Sequence, residues 1–117
     1  MKASTARITD AGKEIREQVQ AWEGVTVRPH RFGGVEFRLG KRELGHVHGN
    51  SLVDIPFPLR VRNELVASES VEPHHILPES GWISFFIRKE EDVAKAVELF
   101  RLSFELAREA QALRMKH

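Results

Sequence analysis

Between Gly24 and Pro58 apolar and polar residues alternate in runs broken by glycine-led turns, a pattern that commits the middle of the chain to antiparallel β-structure. Val25 and Val27 alternate with Thr26 and Arg28 up to His30, and Gly33-Gly34 then leads into Val35-Glu36-Phe37-Arg38-Leu39. These read as two strands of a hairpin. Gly40-Lys41 is a two-residue turn, with glycine supplying the positive φ that its first central position demands. A third strand runs from Glu43 to His48, and Gly49-Asn50 turns the chain into a fourth, Ser51 to Ile55. Closing the hairpin at Gly40-Lys41 sets Leu39 opposite Arg42, and the pairing continues as Arg38 with Glu43, Phe37 with Leu44, Glu36 with Gly45 and Val35 with His46. This register places opposite charges across one face and apolar groups across the other.

Helical spacing flanks the meander. Ile8, Ala11, Ile15, Val19 and Trp22 recur at intervals of three and four, so a first helix is expected from Ser4 to Trp22. Pro56-Phe57-Pro58 ends the fourth strand, and Pro58 suits the first position of a second helix over Leu59 to Ser68. Glu69 to Gly81 has no period and reads as a long loop. Trp82 to Ile87 is a fifth strand with Trp82, Ser84 and Phe86 on one face and Ile83, Phe85 and Ile87 on the other, apolar enough on both to be central. Glu90-Glu91-Asp92 places negative charge at the start of a third helix that reaches about Met115. The expected fold is a two-layer α+β domain spanning 1–117, an antiparallel β-meander plus a further strand packed against helices in the order α-β-β-β-β-α-β-α. The last helix, roughly 39 Å at 1.5 Å per residue, is too long for a domain of this size to cover, so one end should project or meet a partner.

Composition narrows the function. With 41% hydrophobic and 30% charged residues the chain can bury a core, which excludes disorder. The longest uncharged apolar run, Trp82 to Ile87, is far too short to span a bilayer, so no membrane association is expected. The N-terminus meets the charged segment Lys13 to Glu17 without an apolar stretch, and a cytoplasmic location is the expectation. The absence of cysteine removes thiolate chemistry and leaves His, Asp and Glu as the metal ligands available. A net charge of +1 argues against nucleic acid as a partner. Apolar residues on two stripes of the third helix, Val93, Val97, Phe100, Phe104 and Ala107 beside Leu99, Leu102, Leu106 and Leu113, lead to the expectation of a homodimer.

Chemistry concentrates in the histidines, five of the six lying between His30 and His75. In Gly45-His46-Val47-His48-Gly49 the two imidazoles project to the same side of a strand, about 7 Å apart at the backbone. By the register above they share the face of Val35, Phe37 and Leu44, which the helices should cover. With Asp54 on the next strand and His74 or His75 from the loop, His46 and His48 offer nitrogen and oxygen donors for a divalent metal. An acid–base pair, or histidines merely hydrogen-bonded in the structure, remain open for the same residues. Trp82 reads as core or as a stacking platform for a ligand. Arg28 and Arg38 belong to a basic strand face able to steer an anionic ligand.

The segments Pro29 to Phe37, Gly45 to Gly49, Val53-Asp54-Ile55-Pro56-Phe57-Pro58, Pro73-His74-His75-Ile76-Leu77-Pro78-Glu79-Ser80-Gly81-Trp82 and Arg101-Leu102-Ser103-Phe104 resemble the small luciferase domain family of bacteria and fungi. The resemblance implies that His46, His48, Asp54, Pro56, Pro58, His74, His75, Pro78, Ser80, Gly81 and Trp82 are signature positions. It assigns them no roles, and the family's label is not carried over as light emission. A fainter likeness, in element order, is to the YjbR-like α+β domains. Three functions follow as expectations. The first is a domain binding a small ligand in a pocket of His46, His48, Asp54, His74, His75 and Trp82, with Arg28 and Arg38 as further contacts. The second is an enzyme using the same histidines, either as acid and base or around a divalent metal held by His46, His48 and His74. The third is a nucleic-acid or protein interaction module of YjbR-like type.

Overall fold

A computed structural model describes residues 10–74 and 76–115 of the chain. Helix α1 (Ala11–Gln20) precedes the strands β1 (Val25–His30), β2 (Gly34–Leu39), β3 (Arg42–His48) and β4 (Leu52–Pro56). Helix α2 (Leu59–Ala67), strands β5 (Glu72–Pro73) and β6 (Trp82–Phe86), and helix α3 (Glu91–Met115) complete it. The order is the expected one with a single addition, the two-residue β5, which forms inside the segment read as a loop and pairs with β6. The start of the first helix at Ser4 and Ile8 falls outside the described residues, as does His75.

The strands form one antiparallel sheet in the order β1-β2-β3-β4-β6-β5. Helices α1 and α3 pack together on one face, where Ile15, Val19, Phe37, Leu44, Val53, Ile55, Ile83, Phe100 and Phe104 are buried. Apolar spacing explains the choice of face, because Ala11, Ile15 and Val19 form the buried stripe of α1. The entry to α1 is fixed where the Gly12 N–H donates to Asn50 Oδ1 at 2.8 Å, tying the helix to the β3–β4 turn. Pro58 stands one residue before α2 rather than inside it, with φ −56° already set for the helix. Of the second stripe of α3, Leu99 is buried and Leu106 partly buried, while Leu102 and Leu113 are exposed and Met115 is 85% exposed. The C-terminal end of α3 thus projects, as its length requires. Among the described residues no helix is long and apolar enough to cross a membrane.

The β2–β3 register departs from expectation after two pairs. Leu39 faces Arg42 and Arg38 faces Glu43, but Phe37 then faces Gly45, Glu36 faces His46 and Val35 faces Val47. Leu44 is the extra residue of a β-bulge. Gly45 makes it possible: its φ is +142°, and a Cβ there would stand 2.7 Å from Phe100 Cε1 and 2.9 Å from the Asp54 carbonyl oxygen. The Leu44 carbonyl at the bulge accepts a 2.9 Å hydrogen bond from the buried Ser103 hydroxyl of α3. A slip of one residue exchanges the faces of a strand. His46 and His48 therefore do not share the helix-covered face with Val35, Phe37 and Leu44, as the unbroken register had it, but point to the opposite side of the sheet.

Candidate functional site

On that opposite side a row of polar residues crosses all six strands. Arg28, Glu36, His46, Asp54, Ser84 and Glu72 stand opposite one another in turn from β1 to β5. Asp54 is at its centre and only 1% exposed. Its Oδ1 accepts a 2.6 Å hydrogen bond from the Ser84 hydroxyl. Among the described residues its Oδ2 faces three imidazoles, with His48 Nε2 at 2.9 Å, His46 Nε2 at 3.4 Å and His74 Nε2 at 3.6 Å. A carboxylate this deeply buried persists only where such partners satisfy it.

His46 bridges two carboxylates. Its Nδ1 lies 2.8 Å from Glu43 Oε2, while its Nε2 faces Asp54. Glu43 reaches it because the bulge brings positions 43 and 46 to one side of β3. Burial alone would disfavour the imidazolium, but hydrogen bonds to Asp54 and Glu43, reinforced by their charge, push the His46 pKa up to about 9. For Asp54 burial acts to raise the pKa, and the hydrogen bonds from His46, Ser84 and His48, with His74 adding to them, reverse this and hold it well below the usual carboxylate range. Glu36 is likewise lowered against its burial by hydrogen bonds from Arg38 and His30. At neutral pH the face thus carries a buried positive charge on His46 beside the ionised Asp54.

Ring orientation separates two ways of gathering ligands. His30, Glu43 and His46 form one close group, and His46, His48 and Asp54 another. His30 stacks on His46 at 3.9 Å with an interplanar angle of 16°, so their lone pairs lie in nearly parallel planes that do not share a point close to both rings, where one ion would have to sit. His46 and His48 are edge-on, 88° apart with centroids separated by 4.7 Å, an arrangement that lets both aim at one point beside Asp54. The second group is the geometrically competent one. It opens to solvent at His48, whose side chain is 32% exposed, and is walled by Trp82, whose ring lies 5.3 Å from His46 and 6.0 Å from His74. Trp82 is half-buried against the histidines and is not part of the apolar core.

His46, His48, Asp54, His74 and Trp82, proposed from the sequence, are brought together. Arg38 lies on the same face, where it donates to Glu36 and to the Lys41 carbonyl. Arg28 lies at the exposed edge of the row, opposite Glu36. The sequence reading passed over His30, Glu36, Glu43 and Ser84 as members of this site. Ser84 was accessible by parity with Trp82, and a glycine inside a strand, Gly45, was the available sign of a bulge that would have brought in the two glutamates.

No curated protein and no solved structure matches the chain. A family model, the luciferase domain, matches residues 41–103, which run from the β2–β3 turn into α3 and include His46, His48, Asp54, His74, Ser84, Trp82 and Ser103. The match covers more than half of the sequence and carries the whole histidine–aspartate centre, so the chain belongs to the luciferase domain family.

Proposed function

We propose that this domain binds a divalent transition-metal ion through His46, His48 and Asp54, and that the ion anchors a small ligand at the solvent-facing side of His48. The observation that carries this reading is the convergence of two perpendicular imidazoles and one buried carboxylate within 4.8 Å of one another. The partners behind these groups support it. Glu43 takes the Nδ1 side of His46, leaving Nε2 for the ion, and Ser84 holds the second oxygen of Asp54, an arrangement of outer hydrogen bonds typical of metal ligands. Two nitrogens and one oxygen suit Zn, Fe or Ni, and three protein ligands leave coordination positions for water or a ligand.

Elemental analysis of the purified protein is expected to return close to one equivalent of such a metal. In metal-stripped protein, Zn(II) at about a hundred times its dissociation constant should stabilise the fold by about 2.7 kcal/mol, which raises Tm by roughly 10 °C. His48→Ala should remove that shift while leaving the metal-free protein folded, because His48 is the most exposed of the three ligands. A wild type with no shift across Zn, Mn, Fe and Ni, or a His48→Ala variant with the full shift, would refute the reading.

A further inference from the structure

His74 differs from the other imidazoles of the site in how its two nitrogens are engaged. Its Nδ1 accepts hydrogen bonds from the backbone N–H groups of Ile76 and Leu77, both at 3.1 Å. A nitrogen that receives two donors carries no proton, so the ring proton resides on Nε2. That N–H end faces Asp54 Oδ2 at 3.6 Å, beyond a formed hydrogen bond by well under one ångström. Coordination through Nε2 would require moving its proton to Nδ1, where two N–H groups already point.

We infer that His74 is a positioning residue: it closes the turn at 76–77 with Nδ1 and steadies the Asp54 carboxylate with Nε2–H, and does not ligate the metal. This deepens the metal reading above and rests on it. His74 is 9% exposed, Trp82 lies against its ring, and the Arg62 guanidinium of α2 donates to the Pro78 carbonyl of the same segment. The donor is thus held by α2, β6 and its own turn together. Asp54 would then have Ser84 on Oδ1 and His74 beside Oδ2, leaving the carboxylate little freedom to turn away from an ion.

Two substitutions separate the two nitrogens. Asparagine at 74 keeps an oxygen near the Nδ1 position to accept from Ile76 and Leu77, but is too short to reach Asp54. Glutamine places an amide N–H near the Nε2 position and gives up the turn acceptor. Zn(II) affinity, measured by competition with a chromophoric chelator, is expected to fall 10–100-fold in His74→Asn and to stay within about threefold of wild type in His74→Gln. Both variants should take up one equivalent of metal, and the visible spectrum of their Co(II) forms should match that of the wild type. Wild-type affinity in His74→Asn with weakened binding in His74→Gln would reduce His74 to a turn residue and overturn the inference. A Co(II) spectrum altered in both variants would make His74 a ligand and also overturn it. Imidazole ¹⁵N spectra of the metal-free protein supply a check that needs no metal: Nε2–H is expected for His74, and an Nδ1–H tautomer sinks the inference. Failure of the wild type to bind any metal overturns the underlying reading, and is distinguished from these results by being seen before any substitution is made.

Discussion

Asp54→Ala is expected to cost the metal-free protein about 3–5 kcal/mol in urea denaturation near neutral pH, the usual consequence of removing one partner from a buried ion pair. The carboxylate is 1% exposed and faces His46, His48, His74 and Ser84 at once. Alanine leaves the His46 imidazolium with Glu43 alone and takes the acceptor from the Ser84 hydroxyl. Asp54→Asn, which keeps the shape and one oxygen, should cost less, about 1–3 kcal/mol. The pH profile gives this prediction a second edge. The folded-state pKa of His46 is raised from 6.5 to about 9, so its stabilisation is full below pH 6.5 and is lost as the pH climbs through 9. That of Asp54 is depressed from 3.8, so its stabilisation is present above that value and is lost as the pH falls below it. Both describe one network and are not added. The alkaline fall in the wild type should be on the order of 3 kcal/mol between pH 6.5 and 9, and clearly smaller in Asp54→Ala. A loss under about 1 kcal/mol, with superimposable pH profiles, would show that Asp54 is not the centre of the network.

The membership of the site was more legible than its location. His46 and His48 are two apart on one strand, so local alternation grouped them, and Asp54 joined them as the carboxylate of the neighbouring strand; its place opposite His46 comes from the β3–β4 register. What local alternation could not supply was the face. The two pairs nearest the turn, Leu39 with Arg42 and Arg38 with Glu43, are present as read, and extending them without interruption put the histidines under the helices. The interruption depends on Gly45, whose backbone conformation is tied to a tertiary contact, the close passage of Phe100. The glycine marks an irregularity in the strand, but its partner Phe100 stands 55 residues further on, beyond the reach of strand patterning. Glu43 illustrates the consequence: read as a cross-strand partner of Arg38, it is also the group that holds His46 Nδ1. His74 illustrates another limit. The sequence places it in a long loop without period, and the tautomer of its ring follows from two backbone N–H groups that only the folded turn directs at it.

The same bulge sets the expectation for the core. Phe37→Ala should cost about 3–5 kcal/mol, because the ring is fully buried and meets Phe100 edge-on at 5.2 Å, with no neighbouring side chain from Gly45 to close the hole. Gly45→Ala should cost about 2–4 kcal/mol for the opposite reason, a strained φ combined with a Cβ driven against Phe100 and the Asp54 carbonyl. Its effect should also reach the other face of the sheet, since Gly45 adjoins His46 and its added methyl presses on the backbone of Asp54. Weaker Zn(II) binding is therefore expected in Gly45→Ala and not in Phe37→Ala. The two substitutions share Phe100, so they should not add: the cavity left by Phe37 gives the Phe100 ring somewhere to move when the methyl arrives, and the double variant should lose less than the two single losses together. Strict additivity, or a loss under about 1 kcal/mol for Phe37→Ala in chemical denaturation, would mean that Gly45 does not make room for Phe100 and that the strand pairing that turns His46 away from the helices is wrong.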